Sequence, residues 1–290
     1  MSKIKAFFKS RWGNEGSIVN ADYSQLEVIV LSVLSGDKIL QEDVRTKDMH
    51  CMSASFLLGE PYERVKNAVT EGVAYYVSAR KKAKALSFAL QYGAGSTTLA
   101  ANTGLPLSQV TTFISNYYDR YKILKAYQEK LRETVSANSI PFINHGAKGQ
   151  QYISHYCSPT GRVYTFLQQP STYGVEPFSF SPTTIKNYMT QGTATGDIVP
   201  LAIADLYTKL YCGKGKEGNR EKILLVNTIH DSVMLDVHDK VLDRAIQMVY
   251  DTLTGVVGRI EEIWEWEFPM PLGVEVSVGK TWESLSPVKV

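Results

Sequence analysis

Two carboxylates, Asp22 and Asp231, stand where chemistry is expected. Ser17 to Ala21 is a strand-like run that leads to Asp22, and "KILLVNTI" and "SVMLDV" flank His230-Asp231 as the two arms of a hairpin. Taken alone, Asp22 also reads as an ordinary turn or helix cap. At the ends of adjacent strands, however, two carboxylates repel one another, and divalent cations neutralise them. Magnesium takes oxygen ligands in near-octahedral geometry. Two such ions about 4 Å apart clamp an in-line phosphoryl displacement, and a backbone carbonyl near Tyr23 offers a further oxygen.

A second constellation is "ARKKAKALSFALQYG", which places Arg80, Lys84, Phe88 and Tyr92 at steps of four. Such steps keep to neighbouring parts of one helix face, and twelve residues cover about 18 Å. One end of the face is cationic and the other aromatic. That suits a triphosphate at the basic end, gripped by an arginine fork and a lysine point charge, with a base stacked on Phe88 or Tyr92. The plain alternative is an amphipathic surface helix whose aromatics belong to the core. Lys81 and Lys82 face solvent or a backbone phosphate. In "TTIKNYMTQGTATGD", Asn187 and Gln191 are four apart, and such amides hydrogen-bond bases, sugars or phosphates or are simply solvated. Lys214, Lys216, Arg220 and Lys222 form a basic, glycine-rich loop that reads chiefly as solvated.

The elements that must hold these groups alternate between strand and helix. Leu26 to Leu34 suits either state, and Gly59-Glu60-Pro61 is a breaker. Tyr62 to Leu90 reads as one helix with Gly72 as a weak spot, and Ser108 to Val135 as one long helix. Ala137 to Pro159 loses periodicity and reads as an inserted loop or hairpin. Ser181 to Tyr211 reads as a helix that Pro200 kinks. Lys240 to Trp266 is helical in composition, and Gly273 to Val278 alternates as a strand. This pattern predicts a sheet-based domain interrupted by a helical one, the sheet being mixed or antiparallel.

Bulk properties exclude several classes. The chain has 290 residues, enough for one large or two modest domains. Its net charge of +2 does not by itself point to a polyanionic partner. Three scattered cysteines include no CxxC pair, which argues against a thiol zinc site or disulfide framework. No run approaches the length of a membrane span, and a soluble protein of a reducing compartment fits best.

Together these segments resemble the polymerase motifs of family A DNA polymerases, in the family's order. "DYSQLE" resembles the first palm motif, "RKKAKALSFALQYG" the nucleotide-binding helix of the fingers, and "IHDS" the final palm motif. "KDMH", "NYMTQGTATGD" and "VEVSVGKTW" add further matches. The resemblance implies an α+β fold, a palm with an antiparallel sheet and an inserted helical fingers domain. Residues 1–36 and 166–290 would form the palm and 37–165 the fingers, with an insertion near 137–159.

It also implies template-directed addition of deoxynucleoside triphosphates to a primer 3′ hydroxyl. Asp22 and Asp231, with the Tyr23 carbonyl, would hold two magnesium ions, or manganese in their place. Arg80, Lys84 and His50 would bind phosphates, and Lys84 would protonate the leaving pyrophosphate. Glu27 resembles the gate against a ribose 2′ hydroxyl, and Phe88 implies discrimination against dideoxynucleotides. Tyr92 would stack near the templating position, where Gly93 leaves room. Gln25 and Gln191 would lie near the minor groove, His230 near the primer end, and Asn187 on the template side of the new pair.

Three departures qualify the resemblance. Ile29 and Thr183 stand where the family commonly has arginines, and Ser232 where it has a glutamate. Lys186 is the nearest replacement for the cation missing at Thr183. The chain leaves no room for a thumb, the preceding palm strands or an exonuclease. It is therefore expected to join an upstream polypeptide supplying thumb and remaining palm, as in a split viral polymerase acting in the host cytoplasm. A polymerase-like module that binds nucleic acid or a replication protein without catalysis is the alternative.

Overall fold

The computed structural model describes residues 3–143, 150–171, 178–212 and 219–290. Lys214, Lys216 and residues 144–149 of the insertion lie outside the described residues. In chain order, strand β1 (Gly16–Ser24) leads into helix α1 (Leu26–Ser35), followed by α2 (Lys38–Thr46), α3 (Met49–Leu58), α4 (Tyr62–Thr70), α5 (Ala74–Gln91), α6 (Ser96–Thr103), α7 (Leu107–Arg120) and α8 (Lys122–Ala137). Strands β2 (Ile140–Phe142), β3 (Gln151–Cys157), β4 (Val163–Leu167), β5 (Gln169–Pro170) and β6 (Phe178–Ser179) come next. The chain then forms α9 (Pro182–Thr193), α10 (Val199–Tyr211), β7 (Ile223–Ile229), β8 (Ser232–His238), α11 (Leu242–Thr254), α12 (Val256–Trp264), β9 (Gly273–Gly279) and β10 (Ser286–Val288). Two units emerge, one of residues 1–29 with 192–290 and one of residues 30–191.

In the first unit a five-stranded sheet runs β10-β9-β1-β8-β7. Every neighbouring pair is antiparallel, which resolves the open choice between mixed and antiparallel. Period-2 alternation explains β1. Val19, Ala21 and Tyr23 are buried on one face, and the Tyr23 hydroxyl donates to the Leu253 carbonyl of α11 at 2.8 Å. Helix α11 packs against β1, β8 and β9 through Ala245, Val249 and Leu253. Asp22 points to the opposite face. The expected strand Ser17–Ala21 is too short, because β1 continues to Ser24 and carries Asp22 inside it.

The second unit is mainly helical. The single helix expected over Tyr62–Leu90 is broken into α4 and α5, with Gly72 in the left-handed region at φ +76°, a conformation that glycine adopts without steric cost. The helix expected over Ser108–Val135 is likewise two, broken at Tyr121 (φ −103°, ψ 64°). No glycine or proline marks that break. A tertiary anchor accounts for it: fully buried Asp43 of α2 accepts from Arg120 Nη2 at 2.7 Å and from the Tyr121 hydroxyl at 2.8 Å, and Lys47 lies 2.9 Å away. Of the loop and the hairpin expected over Ala137–Pro159, the paired strands β2 and β3 match the hairpin, and β4 beyond it completes a three-stranded antiparallel sheet. Tyr164 and Phe166 of β4 pack with Leu131, Val135, Ile185 and Met189 of α8 and α9.

The helix expected over Ser181–Tyr211 stays continuous but contains a π segment, Ala194–Ile198, before α10. Pro200 sits in the first turn of α10. It lacks the N–H that would bond the carbonyl four residues earlier, and a widened turn accommodates the loss. The helical stretch Lys240–Trp266 resolves into α11 and α12.

Asp43→Ala leaves Arg120 and Tyr121 without their acceptor and is expected to destabilise the fold by roughly 3 kcal/mol. Burial pushes the Asp43 carboxyl up, but hydrogen bonds from Arg120, Lys47 and Tyr121 outweigh it and hold it below its ordinary value of 3.8. A depressed carboxylate stabilises the fold above the unfolded value and loses that contribution as pH falls through the folded one. The gap between wild type and Asp43→Ala in urea unfolding should therefore be full at pH 7 and shrink below about pH 4. A gap independent of pH would refute this anchor.

Candidate active site

The β1–β8 register puts Asp22 opposite Ser232, and the β1–β9 register puts it opposite Glu275. Opposed residues share a sheet face, so Asp22 lies between a hydroxyl and a third carboxylate. Asp231 occupies the two-residue connection between β7 and β8, next to Ser232. The Tyr23 N–H donates to the Asp231 carbonyl at 3.3 Å, which fixes the hairpin tip to β1. The Asp22 and Asp231 carboxyl groups are within hydrogen-bonding range. Burial, the Asp231 charge, the hydrogen bond to Asp231 and then the Glu275 charge raise the Asp22 carboxyl to about 6.

Among the described residues no lysine or arginine forms an ion pair with either aspartate, and no set of three metal-ligating side chains converges. Two touching carboxyl groups without a cationic side chain are a fitting donor set for a hard divalent cation. Glu275 was missed at the level of sequence. Its signal was the Val-Glu-Val alternation of β9, which placed a carboxylate on a polar face without naming its neighbour. The Ser24 hydroxyl lies 3.4 Å from Glu275 Oε1. Ser232 is buried, and its hydroxyl donates to the Ile229 carbonyl at 3.0 Å, closing the turn.

Two residues beside this pair hold left-handed backbone: Gln25 at φ 58° and His230 at φ 54°. Neither is a glycine, and such conformations cost about 1–3 kcal/mol and persist where surrounding structure imposes them. Gln25 turns the chain from β1 into α1, and its carbonyl accepts from the Ile29 N–H at 3.1 Å. His230 is exposed at the hairpin tip. Glu27 follows in the first turn of α1, where the helix dipole favours a negative charge.

In the second unit, α5 carries Arg80, Lys84 and Phe88 as the spacing requires. Lys84 Nζ lies 5.7 Å from the centre of the Phe88 ring, and the His50 ring lies 5.9 Å from it. Arg80 Nη2 donates to both oxygens of Asp48 at 3.0 and 3.3 Å. Asp48 also caps α3 by accepting from the His50 and Cys51 N–H groups. Burial would raise the Asp48 carboxyl, but the Cys51 N–H and Arg80 hold it down at about 2. Burial lowers the His50 pKa, and the charges of Lys84 and Arg80 lower it further. Asp48 is thus a second residue whose role the sequence pattern does not reveal, although it stands two positions before His50.

Tyr92 is displaced from the expected helix face. It terminates α5 and lies past its last turn. Gly93 follows at φ +86°, and a Cβ there would come within 2.9 Å of the Thr183 Cα. The first turn of α9 therefore packs directly on Gly93, and the Thr183 hydroxyl donates to the Gly93 carbonyl at 3.3 Å. Asn187 and Gln191 follow on α9, and the Asn187 Oδ1 is buried without a hydrogen-bond partner among the described residues. Lys81 and Lys82 are solvent-exposed, and Arg220 stacks over the Tyr211 ring at 5.7 Å. The structure thus brings Asp22, Tyr23, His230 and Asp231 together in one unit, and His50, Arg80, Lys84 and Phe88 together in the other.

A family model for DNA polymerase family A matches residues 1–284. The chain belongs to DNA polymerase family A. Family relatives include DNA polymerase I of Lactococcus lactis subsp. lactis (strain IL1403), 27% identical over 280 residues that make up 96% of this chain and 27% of that protein. The thermostable DNA polymerase I of Thermus aquaticus is 26% identical over 271 residues, 92% of this chain and 27% of that protein. The chain thus spans about a quarter of the length of these polymerases. Among solved structures, the POL domain of Pol1 from M. smegmatis, in complex with DNA primer-template and dNTP, shares the fold at a TM-score of 0.71 and 19% identity. That match covers 98% of this chain and 42% of the other. Among the described residues, no helix is long and apolar enough to cross a membrane.

A raised carboxyl pKa means that the folded state binds more protons than the unfolded state between 3.8 and about 6. Stability contributed by Asp22 is therefore present at low pH and lost as pH rises through that window. Asp22→Asn removes the titration, so the variant should gain on wild type in urea unfolding between pH 4 and pH 7. Magnesium at pH 7 should narrow the gap by stabilising wild type alone. A gap that is flat with pH would show that burial and the neighbouring carboxylates do not raise the Asp22 carboxyl.

Proposed function

We propose that the chain performs template-directed DNA synthesis, adding deoxynucleoside triphosphates to a primer 3′ hydroxyl. The observation that carries the reading is the Asp22–Asp231 pair, brought together where β1 meets the β7–β8 turn in a chain of this family. The 3′ oxygen bonds the α-phosphorus as the bond to the pyrophosphate oxygen breaks. The hydroxyl proton leaves to water, and Lys84 gives a proton to the pyrophosphate.

Asp22, Asp231 and the Tyr23 carbonyl would hold two magnesium ions, which stabilise charge on the attacking and leaving oxygens. Arg80 and His50 would bind the triphosphate, with Asp48 presenting the Arg80 guanidinium until phosphate replaces it. Phe88 would face the sugar, and Glu27 would fill the place of a ribose 2′ hydroxyl. Tyr92 would stack at the templating position beside Gly93. Asn187 would serve the template side, Gln25 and Gln191 the minor groove, and His230 the primer end. The elements bearing the carboxylates would be palm and the helices of the second unit fingers.

An upstream polypeptide would supply the thumb and the remaining palm. Ser232 favours a second reading, a module that binds primer-template without extending it, because its hydroxyl is engaged in the turn and offers no carboxylate.

Primer extension with purified chain, magnesium and four deoxynucleotides, with and without the upstream polypeptide, separates the two. Extension is expected with the partner present, and Asp231→Asn should lower its rate by at least about 10²-fold. Binding without extension in both conditions would reject catalysis. Glu27→Ala should raise ribonucleotide incorporation relative to deoxynucleotide by roughly tenfold or more. Unchanged discrimination would remove Glu27 from the gate role.

A further inference from the structure

Asp22 has a sheet neighbour on each side, and the two offer different chemistry. On β8 the partner is Ser232, whose hydroxyl is spent on the Ile229 carbonyl. On β9 the partner is Glu275. The surrounding positions on that face are Asn20 and Ser24 of β1, Met234 of β8, and Gly273 and Ser277 of β9. None of these side chains ionises near neutral pH. Among these positions, Glu275 alone sets a further charge beside the Asp22–Asp231 pair.

The glutamate side chain has a definite direction. Opposed residues of an antiparallel pair stand about 4.5–5.5 Å apart at Cβ. The Ser24 hydroxyl donates to Glu275 Oε1 at 3.4 Å, which turns the carboxylate toward the last residue of β1. The β7–β8 turn lies at that same end of the strand, because the Tyr23 N–H bonds the Asp231 carbonyl. Asp231 and Glu275 thus flank Asp22 from opposite sides. Among the described residues no lysine or arginine forms an ion pair with Glu275, and its side chain is exposed.

This placement suits a role at one remove from coordination. Among the described residues, Asp22, Asp231 and Glu275 do not converge as a set of three ligands. Magnesium dehydrates reluctantly and usually keeps several waters when carboxylates bind it. A carboxylate just outside the ligands can accept hydrogen bonds from that hydration shell, as the outer partners of metal ligands do. Charge points the same way. Asp22 and Asp231 bring two negative charges against the four of two divalent ions, and a third carboxylate without a cationic partner offsets part of the excess.

We propose that Glu275 is a positioning residue of the Asp22–Asp231 centre, holding the hydration shell of its divalent cation and tightening the cation's binding through its charge. The inference rests on the reading that this pair takes a divalent cation. Isothermal titration calorimetry with manganese chloride tests it on the intact chain, without DNA or nucleotide. Titrations run in about 0.01 M and about 1 M potassium chloride, between which the Debye length falls from about 30 Å to about 3 Å. Glu275→Gln keeps an acceptor for the Ser24 hydroxyl and removes only the charge. Ser24→Ala removes the hydrogen bond and keeps the charge. Thermal melting checks that both variants fold.

Glu275→Gln should weaken manganese binding by about five- to tenfold in low salt, the size expected of one exposed charge acting across water on a nearby dication. In high salt the loss should shrink to less than about twofold. Ser24→Ala should stay within about twofold of wild type in both. Manganese affinity unchanged by Glu275→Gln in low salt would overturn the inference. A loss that salt leaves unaltered, or one that Ser24→Ala shares in full, would mark a structural role and overturn it too. Should wild type bind no manganese, the Asp22–Asp231 reading itself would fail, and this inference with it.

Discussion

The repulsion between two carboxyl groups is the constraint around which the first unit is arranged. Asp22 and Asp231 come from positions 209 residues apart and are held in contact by backbone. The β1–β8 ladder sets the register, and the Tyr23 N–H to Asp231 carbonyl bond ties the hairpin tip to β1. On the reverse face, Tyr23 is locked by its hydroxyl to α11. Left to themselves, like charges would separate. The sheet removes that freedom, so a divalent cation would relieve the repulsion. The left-handed backbone at Gln25 and His230 belongs to the same arrangement, since both bracket the pair at turns that ordinary residues avoid.

The second unit solves a different problem, holding its cations in place. Arg80 is oriented by Asp48, whose remaining capacity is committed to capping α3. Lys84 rests beside an aromatic ring instead of a carboxylate. His50 shares this setting, and its neighbours disfavour its charged form. A polyanion would reverse that balance. Gly93 serves as a spacer of zero size, letting α9 approach the end of α5 closely enough to bring Thr183 and Lys186 beside it.

What was legible in the sequence followed physical periodicity. The hairpin around His230-Asp231 could be seen because two apolar runs flank two polar residues, and the steps of four in α5 marked one face. Local patterns failed where distant contacts decided the backbone. Nothing near Tyr121 announces a helix break, because its cause is Asp43, 78 residues earlier. The π segment before Pro200 was visible only as a proline. Glu275 and Asp48 are not marked by local pattern for a related reason: the significance of each depends on a neighbour brought by folding. Tyr92 shows the limit of spacing alone, since the helix ends just before it.

We propose that Asp22 and Asp231 jointly hold a divalent cation. Electron paramagnetic resonance of manganese, titrated with the intact protein without DNA or nucleotide, tests it directly. Wild type should deplete the free-manganese signal, and Asp22→Asn and Asp231→Asn should each abolish that depletion while remaining folded. Equal manganese binding by wild type and both variants would contradict the account.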